Sequence, residues 1–319
     1  MSKISAPGTI AILGPGAVGG FLAGALARAG HEVVVVARPQ TAELIAARGL
    51  QVRSAALQAE FTARPAACAR LVEDPELLIV ATKAGGLEPG LERIRVAPGL
   101  VVPLLNGLDH MEPLRARFGS GRVATGMIRI ESDCPEPGRI VQSSPSVRVD
   151  LATEQPALHG ALTALAGALE AAAIEVCIGG NERQVLWSKL ARRNALSLTT
   201  SASGRPIGFV RADPRWRSAL EGAVSETVAV ANADGASLRA PETLAELEQA
   251  HAELGSSMQR DIVAGREPEL DAIAGAVLRA AARHGIRCPA VVWLVERVAA
   301  RAGIPAPFTA EHGGDDTPR

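Results

Sequence analysis

The sequence contains no tyrosine, and only 3% of its 319 residues are aromatic. Stacking platforms for single-stranded nucleic acid are therefore scarce. It also lacks an excess of either charge: 33 Lys and Arg against 34 Asp and Glu leave a formal net charge of -1. That balance gives no electrostatic footprint for nucleic acid or an anionic membrane. Neither is expected as a partner; a small molecule is, and self-association as a homodimer is left open. No apolar run approaches the ~18 residues of a membrane span, and the opening MSKISAPG lacks the apolar stretch of a signal peptide. A cytoplasmic location is expected.

Cysteine is sparse. Cys68, Cys134, Cys177 and Cys288 are far apart and form no C-x-x-C pair, which argues against a zinc or iron–sulfur site and against a disulfide framework. They are expected to be reduced, mostly core thiols. His110, His159, His251 and His284 show no metal-ligand spacing, so no metal is expected. His284, in an Arg-His-Gly-Ile turn, reads as a helix cap.

Apolar residues make up 47% of the chain, enough for two domains, each burying its own core. Short continuous apolar runs, the mark of strands covered on both faces, lie at Thr9–Leu13, Glu32–Ala37, Leu77–Ala81 and Leu100–Leu105. A helix, Ala17–Ala29, separates the first two and ends at Gly30. Val123–Glu131, Arg139–Gln142 and Val147–Asp150 read as short antiparallel strands, Pro156–Ala172 as a helix and Glu175–Ile178 as a last strand. Beyond Asn181 the pattern is helical: Glu182–Thr200, Pro214–Asp234, Pro241–Leu254, Glu269–His284 and Pro289–Ala302. The expected fold is α/β: an N-terminal, Rossmann-type doubly wound domain over residues 1–180, then an all-helical C-terminal domain over 181–308. The polar residues 309–319 are expected to form a disordered tail.

Gly14-Pro15-Gly16-Ala17-Val18-Gly19 is a G-x-G-x-x-G placed directly after a strand and opening a helix. The first glycine permits a tight turn and the second lets the backbone approach a pyrophosphate. The third lets helix pack on strand, and the helix N-terminus offers N–H donors to the phosphates. The end of the second strand selects the cofactor: an acid there holds the ribose 2′-OH of NAD, a cation the 2′-phosphate of NADP. Here the strand ends Val36-Ala37-Arg38, with Glu32 at its other end. Arg38 can pair a phosphate through its fork of donors, so NADPH/NADP+ is the expected cofactor.

Lys83, in Ala-Thr-Lys-Ala, and Asn106, in Leu-Leu-Asn-Gly-Leu, follow two further strands, at the carboxyl edge where such sheets bind ligands. Leu186-Trp187-Ser188-Lys189-Leu190, Ser256-Ser257-Met258-Gln259-Arg260-Asp261 and Pro268-Glu269-Leu270-Asp271 come later. In this order the set resembles the ketopantoate reductase (2-dehydropantoate 2-reductase) family, from about Gly8 to Ala302. The resemblance implies NADPH-dependent reduction of a hydroxyl-bearing 2-oxo acid. It places the glycine loop on the pyrophosphate and Arg38 on the 2′-phosphate, with Lys83 and Asn106 lining the ligand cleft. Lys189 is implied as general acid, Ser257 as a substrate contact and Glu269 as the carboxylate that anchors the substrate hydroxyl. The chemistry agrees, because hydride arriving at a 2-oxo carbon makes an alkoxide that an ammonium can stabilise and protonate.

The sequence departs from the family at one helix. The family commonly has asparagines four and eight residues after the lysine; here Arg193 and Ser197 stand there, with Asn194 one place off. These three count with Asn106, Ser257 and Glu269 as candidate substrate contacts. Lys189 and Arg193 share a helix face at i, i+4, so Arg193 is expected to point into the site, lowering the lysine's pKa or binding a carboxylate. Three readings stay open: a ketopantoate reductase, a paralogue reducing another 2-oxo acid such as a diacid, and a non-catalytic NADPH-binding sensor.

Overall fold

The structure, a computed structural model, describes residues 8–307; the expected tail lies outside them. The chain forms two compact units that divide between Leu186 and Trp187.

The first unit begins β1 (Ile10–Leu13), α1 (Ala17–Arg28), β2 (Val33–Val36), α2 (Pro39–Arg48), β3 (Leu50–Ser54), β4 (Ala59–Ala63), β5 (Ala66–Cys68) and β6 (Leu77–Val80). It continues with α3 (Leu87–Leu91), β7 (Leu100–Pro103), α4 (Met111–Phe118), β8 (Thr125–Arg129), β9 (Ser132–Glu136), β10 (Arg139–Gln142) and β11 (Arg148–Ala152). Then come α5 (His159–Ala171), β12 (Glu175–Gly179) and the start of α6 (Glu182–Ser203). Five strands form an all-parallel sheet in the order β5-β2-β1-β6-β7. That is a doubly wound order with its origin at β1. β1, β6 and β7 are buried at every position and β2 at three of four, which is why they read as unbroken apolar runs.

A second sheet, β4-β3-β10-β9, lies on the far side of α1. A Cβ on Gly20 would come within 2.5 Å of Ile140 Cδ1, and one on Gly24 within 2.7 Å of Val52 Cγ2. These two glycines, i and i+4 on the helix, let the second sheet approach the backbone of α1. β3 alternates buried and exposed residues, as a strand with one solvated face does, and β4 and β9 are short and polar. None of these shows a continuous apolar run, and all were missed in the sequence, as was β5. The expected antiparallel strands also pair in both senses. β8–β11 and β9–β10 are antiparallel, but β10 runs parallel to β3 and β11 to β12. β8 leaves the edge of β7 through a parallel bridge between Val123 and Val101.

The second unit holds the remainder of α6 and α7 (Ile207–Ala212), α8 (Pro214–Ala233), α9 (Ala240–Glu248), α10 (Ser257–Val263), α11 (Ala276–Arg283) and α12 (Pro289–Ala302). α7 and α10, of 6 and 7 residues, are too short to show helical periodicity. α6 runs through the core of this unit and is tied along its length by polar side chains. Trp187, fully buried, donates through Nε1 to Asp234 Oδ2 at 2.8 Å. Asn194 Nδ2 donates to Thr227 Oγ1 at 2.9 Å, and Thr200 Oγ1 to Ser256 Oγ at 2.9 Å. The helix expected over Glu269–His284 opens instead with a π-helical stretch, Asp271–Gly275. A Cβ on Gly275 would lie 2.3 Å from Asp271 Oδ1, so glycine lets the widened turn fold over that carboxylate. His284 caps α11, its Nε2 3.2 Å from Asp234 Oδ1.

All four cysteines are free. Only Cys288 is buried; Cys68 and Cys134 are intermediate, and Cys177, on β12, is exposed. The expectation of mostly core thiols is corrected: one of the four is in the core, and Cys177 is exposed because β12 pairs on one side only and none of its residues is buried. Among the described residues no helix is long and apolar enough to cross a membrane, and no group of three or more His, Cys, Asp or Glu is placed to hold a metal ion.

Candidate active site

In the first unit, four loops leave the carboxyl ends of adjacent parallel strands. Arg38 follows β2, Gly14 follows β1, Lys83 follows β6 and Asn106 follows β7. The sheet order therefore brings Arg38, the glycine loop, Lys83 and Asn106 to one edge, although they span much of the unit's sequence.

The three motif glycines have different surroundings. Gly14 has φ +90°, and a Cβ there would meet Thr82 Cγ2 at 2.8 Å. At Gly19 a Cβ would lie 2.2 Å from Gly14 O and 3.1 Å from Ala81 Cβ. Both positions are closed by protein packing, which brings α1 onto β1 and β6. Gly16 differs: beyond its own chain neighbours nothing lies within 4 Å of a Cβ placed there. Gly16 is the N-cap of α1 and carries no side chain to satisfy the first turn, whose N–H groups have no partner inside the helix. The loop thus offers backbone donors beside open space at Gly16. Thr82 adds a buried hydroxyl without a hydrogen-bond partner, on the loop that touches Gly14. Sequence reasoning passed over it; the signal was a hydroxyl at the end of an otherwise apolar strand.

Arg38 is exposed and N-caps α2 with extended backbone. No acid stands at this end of β2. Glu32 precedes the strand, and its carbonyl accepts from Ile10 N–H at 2.9 Å, at the amino edge. A depression of about 500 Å³ opens at that amino edge, lined by Arg28, His31, Glu32, Phe61 and Arg64 among others; it contains none of the motif residues. Open space at Gly16, an orphaned hydroxyl on Thr82 and a cation in place of an acid at the end of β2 fit a phosphorylated dinucleotide.

In the second unit, Arg193, Ser257 and Glu269 come together. Arg193 Nη2 donates to Ser257 Oγ at 2.7 Å, and the Arg193 and Glu269 charges attract one another. Burial lowers the Arg193 pKa; Glu269 opposes that shift, Arg260 and Arg192 reinforce it, and Asp261 opposes it weakly. Glu269 is half-buried between buried Pro268 and Leu270, directly before the π-helical stretch, a feature frequent at functional sites. Lys189 is half-buried on α6, one helical turn before Arg193.

Asn194 and Ser197 take other positions. Asn194 is fully buried, and its amide group is engaged with Thr227 between α6 and α8. Ser197 is 1% exposed, and its Oγ has no hydrogen-bond partner.

Comparison with known proteins gives a consistent picture. The family described as "Ketopantoate reductase PanE/ApbA" matches residues 10–153, and its C-terminal counterpart matches residues 181–308. A 2-dehydropantoate 2-reductase of Caulobacter vibrioides is 28% identical over 301 residues, 92% of this chain and 99% of that protein. The structure of a 2-dehydropantoate 2-reductase from Geobacter metallireducens superposes with a TM-score of 0.83 at 26% identity, covering 92% of this chain and 99% of that one. A D-mandelate dehydrogenase solved with NADH and anilino(oxo)acetate gives a TM-score of 0.84 at 22% identity, covering 92% and 98%; at that identity the likeness is one of fold.

Proposed function

This chain belongs to the ketopantoate reductase family, and we propose that it reduces a 2-oxo acid to the 2-hydroxy acid with NADPH, ketopantoate to pantoate being the first substrate pair to test. Membership makes it an oxidoreductase acting on CH–OH groups. The observation that carries the cofactor reading is the open space at Gly16 between two close-packed glycines, with Arg38 on the same sheet edge. A cytoplasmic location and a division of labour at residues 180/181, cofactor before and substrate after, complete the proposal.

In this reading the loop Gly14, Pro15, Gly16, Ala17, Val18 and Gly19 holds the pyrophosphate through the backbone N–H groups of its non-proline residues and the helix dipole, Pro15 shaping the turn without donating. Arg38 pairs with the 2′-phosphate. Lys83 and Asn106 contact the cofactor further along the same edge, Asn106 reaching substrate as well. When bound, the reduced nicotinamide supplies hydride. Lys189 Nζ donates a proton to the substrate's carbonyl oxygen as negative charge develops there. Glu269 accepts from a substrate hydroxyl, and Ser257 contacts the substrate. Arg193 favours a second reading, a 2-oxo diacid, because it adds a cation where relatives commonly carry an asparagine.

The test is a fluorescence titration of NADPH and NADH against wild type and Arg38→Ala, followed by an NADPH-oxidation screen over 2-oxo acids. Wild type is expected to bind NADPH at least tenfold more tightly, about 1.4 kcal/mol, and Arg38→Ala to lose that preference. Equal affinities in the wild type refute the NADPH assignment. A screen without turnover on any 2-oxo acid refutes the reductase assignment.

A further inference from the structure

Arg193 is an uncommon group to find inside a helical unit. Its Nε is buried and has no hydrogen-bond partner, while Nη2 is fixed on Ser257 Oγ. The charges around it do not cancel. Glu269 and Asp261 attract it, but Arg260 and Arg192 repel it. Asp261 already holds Arg266 at 2.8 Å and Arg192 pairs with Glu246 at 3.6 Å, so both are largely answered elsewhere and the balance rests on Glu269 against Arg260. Arg193 as a whole is half-buried; a guanidinium stays protonated at any working pH, and a cation partly withdrawn from water is stabilised by an anion that completes the set.

The chemistry of the pair restricts that anion. Ser257 Oγ accepts from Arg193, so the serine's own proton is left to donate to another group. Arg193 therefore presents donors only, and Ser257 adds its O–H donor beside one remaining lone pair. A 2-oxo acid has one group that accepts only and carries charge: its carboxylate. Position then separates the 1-carboxylate from a distal one. Lys189, the proposed proton donor to the carbonyl oxygen, lies one helical turn from Arg193, a Cβ separation of about 5–6 Å. In a 2-oxo acid the carbonyl and the 1-carboxylate are bonded neighbours, which matches two neighbouring groups on one helix turn. A second carboxylate would lie further along the substrate.

We infer that the Arg193–Ser257 pair is the seat of the substrate's 1-carboxylate, so that this chain holds 2-oxo acids by charge. The inference rests on the reading of the chain as a 2-oxo acid reductase. Glu269, beside the pair, remains the acceptor for a hydroxyl carried further along the substrate, so ketopantoate is still accommodated.

The experiment measures kcat and KM at saturating NADPH for wild type, Arg193→Asn, Arg193→Lys and Ser257→Ala. The substrates are ketopantoate, a short-chain 2-oxo monoacid, its methyl ester and a 2-oxo diacid. Arg193→Asn is expected to raise KM for all three acids alike, by about 10- to 100-fold, and to leave kcat within a few-fold. Arg193→Lys, which keeps the charge, is expected to recover part of the loss, and the wild type to discriminate strongly against the ester. A KM effect confined to the diacid overturns the inference, as does an unchanged KM for every acid. Titration of oxamate into the NADPH-loaded protein separates this inference from the reading beneath it. Binding that depends on Arg193 without turnover of any 2-oxo acid defeats the reductase reading and leaves the anion seat standing. Binding equal in wild type and in an Arg193→Asn protein of normal melting temperature and NADPH affinity overturns the seat itself.

Discussion

Gly16 and Gly19 belong to one motif, yet alanine at the two positions should fail for different reasons. At Gly16 a Cβ meets nothing within 4 Å beyond its own chain neighbours. Its backbone, φ -77° and ψ -155°, is extended and open to any residue. Alanine there reduces the freedom of the unfolded chain, which stabilises by about 0.4–1 kcal/mol. It also loses about 0.5–1 kcal/mol as a poorer N-cap than glycine, which roughly offsets that gain. The free protein should therefore melt within a degree or two of wild type. The same methyl occupies the space assigned to pyrophosphate, so NADPH affinity should fall at least tenfold, about 1.4 kcal/mol. At Gly19 the methyl would sit 2.2 Å from Gly14 O, a backbone atom that moves only if the strand–helix turn moves. Overpacking of this kind typically costs about 1–3 kcal/mol. At about 2–4 °C per kcal/mol for a unit of this size, the melting point should drop by roughly 2–12 °C without any cofactor present. Differential scanning fluorimetry with and without NADPH, beside a binding titration, measures both effects. If Gly16→Ala binds NADPH like wild type, the space at Gly16 is not the pyrophosphate seat. If Gly19→Ala melts like wild type, the close packing of α1 on β1 is not what that glycine serves.

Three further outcomes are expected. Lys189→Ala should fold and bind NADPH, since the glycine loop and Arg38 belong to the other unit, but lose turnover by about 10²–10⁴-fold; near-normal kcat on the best substrate removes Lys189 as the proton donor. Glu226 caps α12, accepting from Ala290 N–H at 2.8 Å and Val291 N–H at 2.9 Å, and burial raises its pKa despite those bonds. A carboxyl whose folded pKa lies above its unfolded value binds more protons when folded, so its contribution to stability falls as pH rises from about 4.3 toward the raised value. Urea melts of wild type and Glu226→Gln across that range should show this slope only in wild type. Cys288 is buried with its thiol pKa pushed up to about 12 by desolvation and by Glu226, whereas Cys177 is exposed. A thiol reagent near pH 8 should label Cys177 readily and Cys288 only after unfolding, and prompt labelling of Cys288 in the native protein contradicts its placement.

Much of the first unit's central sheet was legible in the sequence because its strands are buried on both faces, and such strands announce themselves as apolar runs. The glycine loop was legible for a related reason: steric demands on φ, on close packing and on ligand approach leave glycine as the one residue that meets all three. The contrast between Arg38 and Glu32 could also be read, since a strand's direction fixes which end each occupies. Of the second sheet only β10, at Arg139–Gln142, could be read; β3, β4 and β9 show no continuous apolar run, and the sheet packs on α1 where Gly20 and Gly24 admit Ile140 and Val52.

On α6 the limit is sharper. Consecutive helical residues diverge by about 100°, so Arg193 and Asn194 must face different neighbours, and only the packing of the second unit decides which. It turns Asn194 onto Thr227 inside the core and Arg193 onto Ser257 beside Glu269. The residue types on the chain determine that charge, hydroxyl and amide are present within one helical turn. The positions of α8 and α10 around that helix determine which of them is sealed in the core and which joins the serine and the glutamate, because the angle at which a side chain leaves a helix has meaning only relative to the elements packed against it.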